Sequence, residues 1–182
     1  MPFEIDRDGW LADVERAASP NFDARPVDSA VRLIVIHGIS LPPGKYGGPF
    51  IRDFFCNRLD PGAHDYFAGI CDLQVSAHCL IERDGHIVQF VAFDQRAWHA
   101  GQSEWRGETA CNDFSIGVEL EGCDHEAYTD EQYLSLAELI GTLRQRYPSI
   151  DADAITGHSD IAPGRKTDPG PAFDWNRLSR LV

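Results

Sequence analysis

Hydrophobic and polar positions change period several times along the chain, and each change marks an element. Leu33-Ile34-Val35-Ile36 is wholly apolar and mostly β-branched, which predicts a buried central strand ending at His37 and Gly38. A Gly/Pro-rich stretch over residues 41–49 follows, then a short helix over residues 50–59. The interval from His37 to about Val75 is long for a connection, and such intervals usually carry function or structure of their own. Residues 76–83 and 86–93 read as strands joined by Asp84-Gly85, a pair suited to a two-residue hairpin turn with positive φ at both positions. Over residues 115–122, Ile116, Val118 and Leu120 alternate with Gly117, Glu119 and Glu121, which predicts a strand with two unlike faces. From Thr129 the period lengthens. Tyr133, Leu136, Ala137, Ile140, Leu143 and Tyr147 follow helical spacing, Thr129 and Gln132 can form a capping box, and Pro148 closes the helix. Residues 154–158 predict a short strand and residues 173–182 a terminal helix.

Strands, a long helix, then a strand and a helix together predict an α/β fold: a central mixed β-sheet flanked by helices, with residues 1–182 as a single domain. A chain of this length buries about 70% of its unfolded surface without staples. The formal charge of −13 and the lack of any Lys/Arg run exclude a nucleic-acid partner, which requires a concentrated basic face. The same acidity disfavours an anionic membrane surface. Acids stand near the N-terminus where an export signal would carry basic residues and an apolar run, so the expected location is the cytoplasm. Five scattered cysteines without a C-x-x-C pair read as free thiols. The expected partner is a small substrate, and the chain is expected to act as a monomer.

The chemistry rests on a few side chains. His37 closes an apolar strand, His158 closes another, and Asp168 follows ten residues later. Two neutral imidazoles and a carboxylate are the ligand set of a catalytic Zn2+, which keeps a fourth position open. Spacing leaves a second reading open, with hydrogen-bonded core histidines and a turn aspartate before proline. Glu119 sits on the polar face of its strand, with Gly117 leaving room beside it, and a carboxylate there can serve as general base or remain a strand-face acid. Lys166 can meet a developing oxyanion or remain a solvated loop cation. His78 reads as structural, and His86 and His125 as solvated. Trp98 sits in a loop after the hairpin, where an exposed aromatic can offer a ring face to a ligand.

Five blocks then carry a family resemblance. Val35-Ile36-His37-Gly38-Ile39-Ser40-Leu41-Pro42-Pro43, Ser76-Ala77-His78-Cys79-Leu80-Ile81 and Arg96-Ala97-Trp98-His99-Ala100-Gly101 are the first three. Cys111-Asn112-Asp113-Phe114-Ser115-Ile116-Gly117-Val118-Glu119-Leu120-Glu121-Gly122 is the fourth. Thr156-Gly157-His158, with Arg165-Lys166-Thr167-Asp168-Pro169-Gly170-Pro171, closes the set. In order and content they resemble the cytoplasmic N-acetyl-anhydromuramyl-L-alanine amidases of the AmpD type, from about Trp10 to Trp175. The resemblance implies the fold of phage lysozyme-like amidases and peptidoglycan recognition proteins. It implies Zn2+ on His37, His158 and Asp168, acid/base work by Glu119 and oxyanion assistance by Lys166. The implied substrate is a muropeptide of wall recycling, cut between anhydromuramic acid and L-Ala. Tyr66 and Phe67 fall in a segment that resembles the one touching the sugar in relatives. The chain departs from some relatives around Gln74 and Ala110, where they have arginines, which puts the preferred peptide stem in doubt. Two competitors are a wall-lytic amidase acting on intact peptidoglycan, which needs export, and a non-catalytic peptidoglycan-binding module, which tends to lose a ligand.

Overall fold

The alternating face pattern becomes one six-stranded sheet in the computed structural model, which describes residues 3–182. The first two positions of the acidic N-terminal segment lie outside the described residues. In chain order the elements are β1 (Glu15–Arg16), β2 (Phe22–Ala24), β3 (Leu33–Ile39), α1 (Phe50–Phe55), β4 (Cys79–Ile81) and β5 (Ile87–Gln89). There follow β6 (Gln95–Ala97), β7 (Glu104–Trp105), β8 (Glu108–Thr109), β9 (Ser115–Glu121) and α2 (Asp130–Arg146). The chain ends with β10 (Ile155–Gly157), α3 (His158–Ile161) and α4 (Trp175–Leu181). The sheet runs β1-β5-β4-β9-β3-β10, and only the β4–β5 pair is antiparallel. A mixed sheet is therefore what forms, as the sequence predicts.

Alternation along the central strands sorts side chains onto two faces. Ile34, Ile36, Ile116, Val118 and Leu120 pack toward one side with Tyr133, Leu136, Leu139, Ile140 and Leu143 of α2 and Leu178 of α4. Each fully buried aliphatic chain there contributes roughly 1.5–3 kcal/mol by leaving water. The Thr129 capping box forms as expected, with Gln132 N–H donating to Thr129 Oγ1 and Thr129 N–H to Gln132 Oε1. Leu33 and Val35 face the other way, in a smaller cluster with Ala100, Cys111, Phe114 and Ile161. A third cluster places Phe54, Phe55 and Phe67 against Leu80, Val88 and Phe90.

Several expectations are corrected. The hairpin strands are shorter than residues 76–83 and 86–93, and their turn has three residues, Arg83, Asp84 and Gly85. Only Gly85 takes positive φ, at 83°, and Gly85 N–H donates to Glu82 O, the geometry of a type I turn with a glycine bulge. The helix expected over residues 50–59 ends at Phe55, and the terminal helix starts at Trp175 behind an Asp174 cap. All five cysteines are free, Cys79 and Cys111 buried and the others half-buried. No helix among the described residues is long and apolar enough to cross a membrane.

Candidate active site

Strand register brings the first two chemical groups together. On adjacent parallel strands, His37 of β3 lies opposite Glu119 of β9, and Val35 lies opposite Gly117. Parallel pairing of β10 with β3 sets Gly157 against Ile36, so the next residue, His158, lands beside His37. His158 is the first residue of α3 rather than the end of the strand. The corner is held by Asp160, whose Oδ2 accepts Gly157 N–H at 2.9 Å and the Thr156 hydroxyl at 3.0 Å. The chain then returns, and Ser159 N–H donates to the Asp168 carbonyl at 2.9 Å, bringing the Asp168 carboxylate to the same point.

There His37 Nδ1 and His158 Nδ1 are 2.9 Å apart, and Asp168 Oδ2 lies 3.2 and 3.1 Å from them. Both imidazoles are almost fully buried, at 1% and 3% exposure. One ligand atom from each residue fits within 4.8 Å of the other two. Burial pushes His37 down to about 4, against the opposing pull of the Asp168 carboxylate beside it. Burial works to raise Asp168 too, but the ring nitrogens of His158 and His37 beside it win and hold its carboxyl far below the ordinary range. His158 Nε2 faces the Ala100 carbonyl at 3.1 Å, a group that can only accept, while the Arg165 guanidinium is the longer contact at 3.4 Å. The ring N–H of His158 is therefore on Nε2, which leaves a lone pair on Nδ1 aimed at the common point. Two imidazole nitrogens and a carboxylate oxygen, converging from three segments, fit a divalent metal such as zinc.

Glu119 adjoins this cluster, buried at 8% exposure, and its Oε2 has no hydrogen-bond partner among the described residues. Burial, then the charge of Asp168, pushes its carboxyl well above the usual range, with Lys166 partly opposing. A carboxyl held high is suited to taking and returning a proton near neutrality. The cluster and Glu119 form the floor of a cavity of about 610 Å3 that also takes in Lys166, Tyr66 and Trp98. Lys166 is exposed on its wall and has no ion-pair partner among the described residues.

Phe67 does not belong to the site. It is fully buried beneath the cavity, packed on Phe50 with ring centres 4.9 Å apart, while the 3-10 turn Asp65–Gly69 swings Tyr66 outward. Nor does Gly117 make room for Glu119. A Cβ there would stand 2.4 Å from the ring of His99, so the missing side chain accommodates that histidine. His78 is structural as expected: its Nδ1 accepts Gly117 N–H at 3.0 Å, and burial holds it down to about 3. His125, read as solvated, is exposed but stands on the cavity rim with Asp124. Leu41, Ile70, Leu73 and Val75 form an apolar part of the wall that sequence reading does not single out. Its only sequence signal is a scatter of apolar residues in a connection otherwise rich in Gly and Pro.

Comparison with known proteins agrees with this geometry. The chain is 59% identical over 175 residues to 1,6-anhydro-N-acetylmuramyl-L-alanine amidase AmpD of Citrobacter freundii, covering 96% of this chain and 93% of that one. A crystal structure of a selenomethionine AmpD derivative superposes with a TM-score of 0.95 at 59% identity, covering 98% of this chain and 99% of the other. The Escherichia coli amidase AmiD, solved with anhydro-N-acetylmuramic acid-L-Ala-D-gamma-Glu-L-Lys, gives a TM-score of 0.61 at 30% identity, covering 97% and 65%. The pattern of the N-acetylmuramoyl-L-alanine amidases matches residues 27–171, a span that contains the whole site, and the chain belongs to that family.

Proposed function

We propose that this protein hydrolyses the amide between the lactyl group of 1,6-anhydro-N-acetylmuramic acid and the L-Ala of a muropeptide, using zinc, in cytoplasmic recycling of the cell wall. The observation that carries the reading is the convergence of His37, His158 and Asp168 beside a buried, unpartnered carboxyl oxygen of Glu119 on the floor of one cavity. The names and bound substrate of the relatives supply the substrate class. His37, His158 and Asp168 would hold the metal, which when bound supplies Lewis acidity and brings water within reach of neutral pH.

The remaining work falls to side chains of this chain. Glu119 Oε2, free of other partners, takes the proton from the attacking water and returns it to the departing L-Ala nitrogen. Lys166, unpaired on the wall, places an ammonium where negative charge develops on the former carbonyl oxygen. Tyr66 and Trp98 offer ring faces to the sugar, and Trp98 is braced by its indole N–H donating to Asp23 at 3.2 Å.

The test is mass spectrometry of an anhydro-muropeptide digest with and without a chelator, alongside intact sacculi. The expected products are the free anhydro sugar and a peptide beginning with L-Ala, formed only when metal is present. Turnover of sacculi in preference to the fragment, or unchanged turnover with the metal removed, overturns the reading.

A further inference from the structure

His99 lines the cavity yet is almost wholly buried, its ring edge-on to those of His37 and His78. Its Nδ1 lies 2.9 Å from His37 Nε2, on the side of His37 away from Asp168. Its Nε2 lies 3.0 Å from Ser115 Oγ, and Ser115 Oγ lies 2.6 Å from the Cys111 carbonyl oxygen. Both His99 and Ser115 are buried, and Gly117 leaves the space the His99 ring fills. Asn112 Oδ1 accepts the backbone N–H groups of His99 and Ala100 at 3.2 and 2.8 Å, fixing the segment that touches both His37 and His158.

The polarity of this chain follows link by link. A main-chain carbonyl only accepts, so the single hydroxyl hydrogen of Ser115 points to Cys111. Ser115 Oγ can then only accept from His99, which puts the ring hydrogen of His99 on Nε2. The 2.9 Å contact between His99 Nδ1 and His37 Nε2 holds one hydrogen, and with that of His99 spent on Ser115 it comes from His37. The hydrogen of His37 is therefore on Nε2.

We infer that Ser115 and His99 are positioning residues that lock His37 in the tautomer with a bare Nδ1, so that it presents a lone pair beside His158 and Asp168 before any metal arrives. The inference rests on the metal reading above only for its purpose, not for its geometry. Without the Ser115 hydroxyl, His99 can carry its hydrogen on Nδ1. His37 would then accept at Nε2 and carry a hydrogen on Nδ1, blocking the atom that faces the other two donors. Partners of this kind typically change metal affinity about 10- to 100-fold.

Two measurements on the full chain decide it. Zinc affinity, read by competition with a chromophoric chelator, should fall about 10- to 100-fold in Ser115→Ala and in His99→Phe and return in Ser115→Thr, which restores the hydroxyl. Nitrogen-15 spectra of the imidazoles in the zinc-free wild type at neutral pH should show His37 protonated on Nε2 and bare on Nδ1. Ser115→Ala should populate the other tautomer. Folded Ser115→Ala with wild-type zinc affinity, or a lowered melting temperature with no change in affinity, overturns the inference. So does a protonated Nδ1 on His37 in the wild type, which requires no variant to fold. Failure of the wild type to bind zinc overturns the metal reading instead, while the tautomer spectrum still decides this one.

Discussion

The two faces of β9 divide the molecule's tasks. Ile116, Val118 and Leu120 meet α2 in a closed apolar contact. Ser115, Gly117, Glu119 and Glu121, interleaved with them, are equally buried yet polar or bare. The apolar face gains free energy by excluding water, whereas the polar face retains a carboxyl oxygen without a partner, which costs stability. Such an uncompensated group on an otherwise satisfied strand marks a place where function rather than folding sets the residue.

That division can be broken from either side. Glu119→Gln should cut turnover by about 10²- to 10⁴-fold while the melting temperature stays at or above the wild-type value, because a neutral amide removes the buried charge. Near-normal kcat in this variant sinks the proton-transfer role. Lys166→Ala should slow turnover by about 10²- to 10³-fold with zinc content unchanged. A change confined to KM would reassign the lysine to substrate holding. On the other face, Leu136→Ala should cost about 3 kcal/mol in denaturant unfolding, with kcat per folded molecule preserved. A loss of kcat at saturating stability would mean that the two faces are mechanically coupled.

Acid should weaken the fold through the buried histidines packed on the polar face. Folded His78 is held down to about 3 by burial, below the ordinary 6.5 it regains on unfolding. Its contribution is thus complete above about 6.5, where neither state takes the proton, and is lost as pH falls toward 3, where the unfolded chain binds it first. His37 and His99, also held down by burial, act in the same direction. Melting temperatures of the chelator-treated chain should decline across that interval, and a flat profile would contradict the neutral buried histidines.

What the sequence discloses follows from how local each signal is. β9 and α2 are legible because alternation and 3.6-residue spacing persist for 7 and 17 residues, and the Thr129 cap is written in four consecutive positions. β1, β2 and β6 are two or three residues long and exist only through distant partners, as Glu15 does through Val88, while β7 and β8 are a two-residue pair closed at Arg106-Gly107. No periodicity can announce a strand of that length. The candidate ligands are separated by as many as 131 positions, so their meeting is a product of topology, and only the family resemblance joined them in advance. Phe67 is hidden for a related reason: neighbours in a 3-10 turn point about 120° apart, and adjacency to Tyr66 carries no information about which one faces outward. His99 shows in the sequence only as one residue of a matching block, since its partners are defined by hydrogen positions that the sequence does not encode.

Glu121, two positions beyond Glu119, reaches the mouth of the neighbouring groove, where its Oε1 accepts Gly47 N–H at 2.6 Å and its Oε2 accepts Arg83 N–H at 3.3 Å. The glycine-rich connection is thereby moored to the very strand that bears the proton-handling carboxyl. The cavity wall at Leu41 and Pro43 and the acid on its floor thus take their positions from one shared strand.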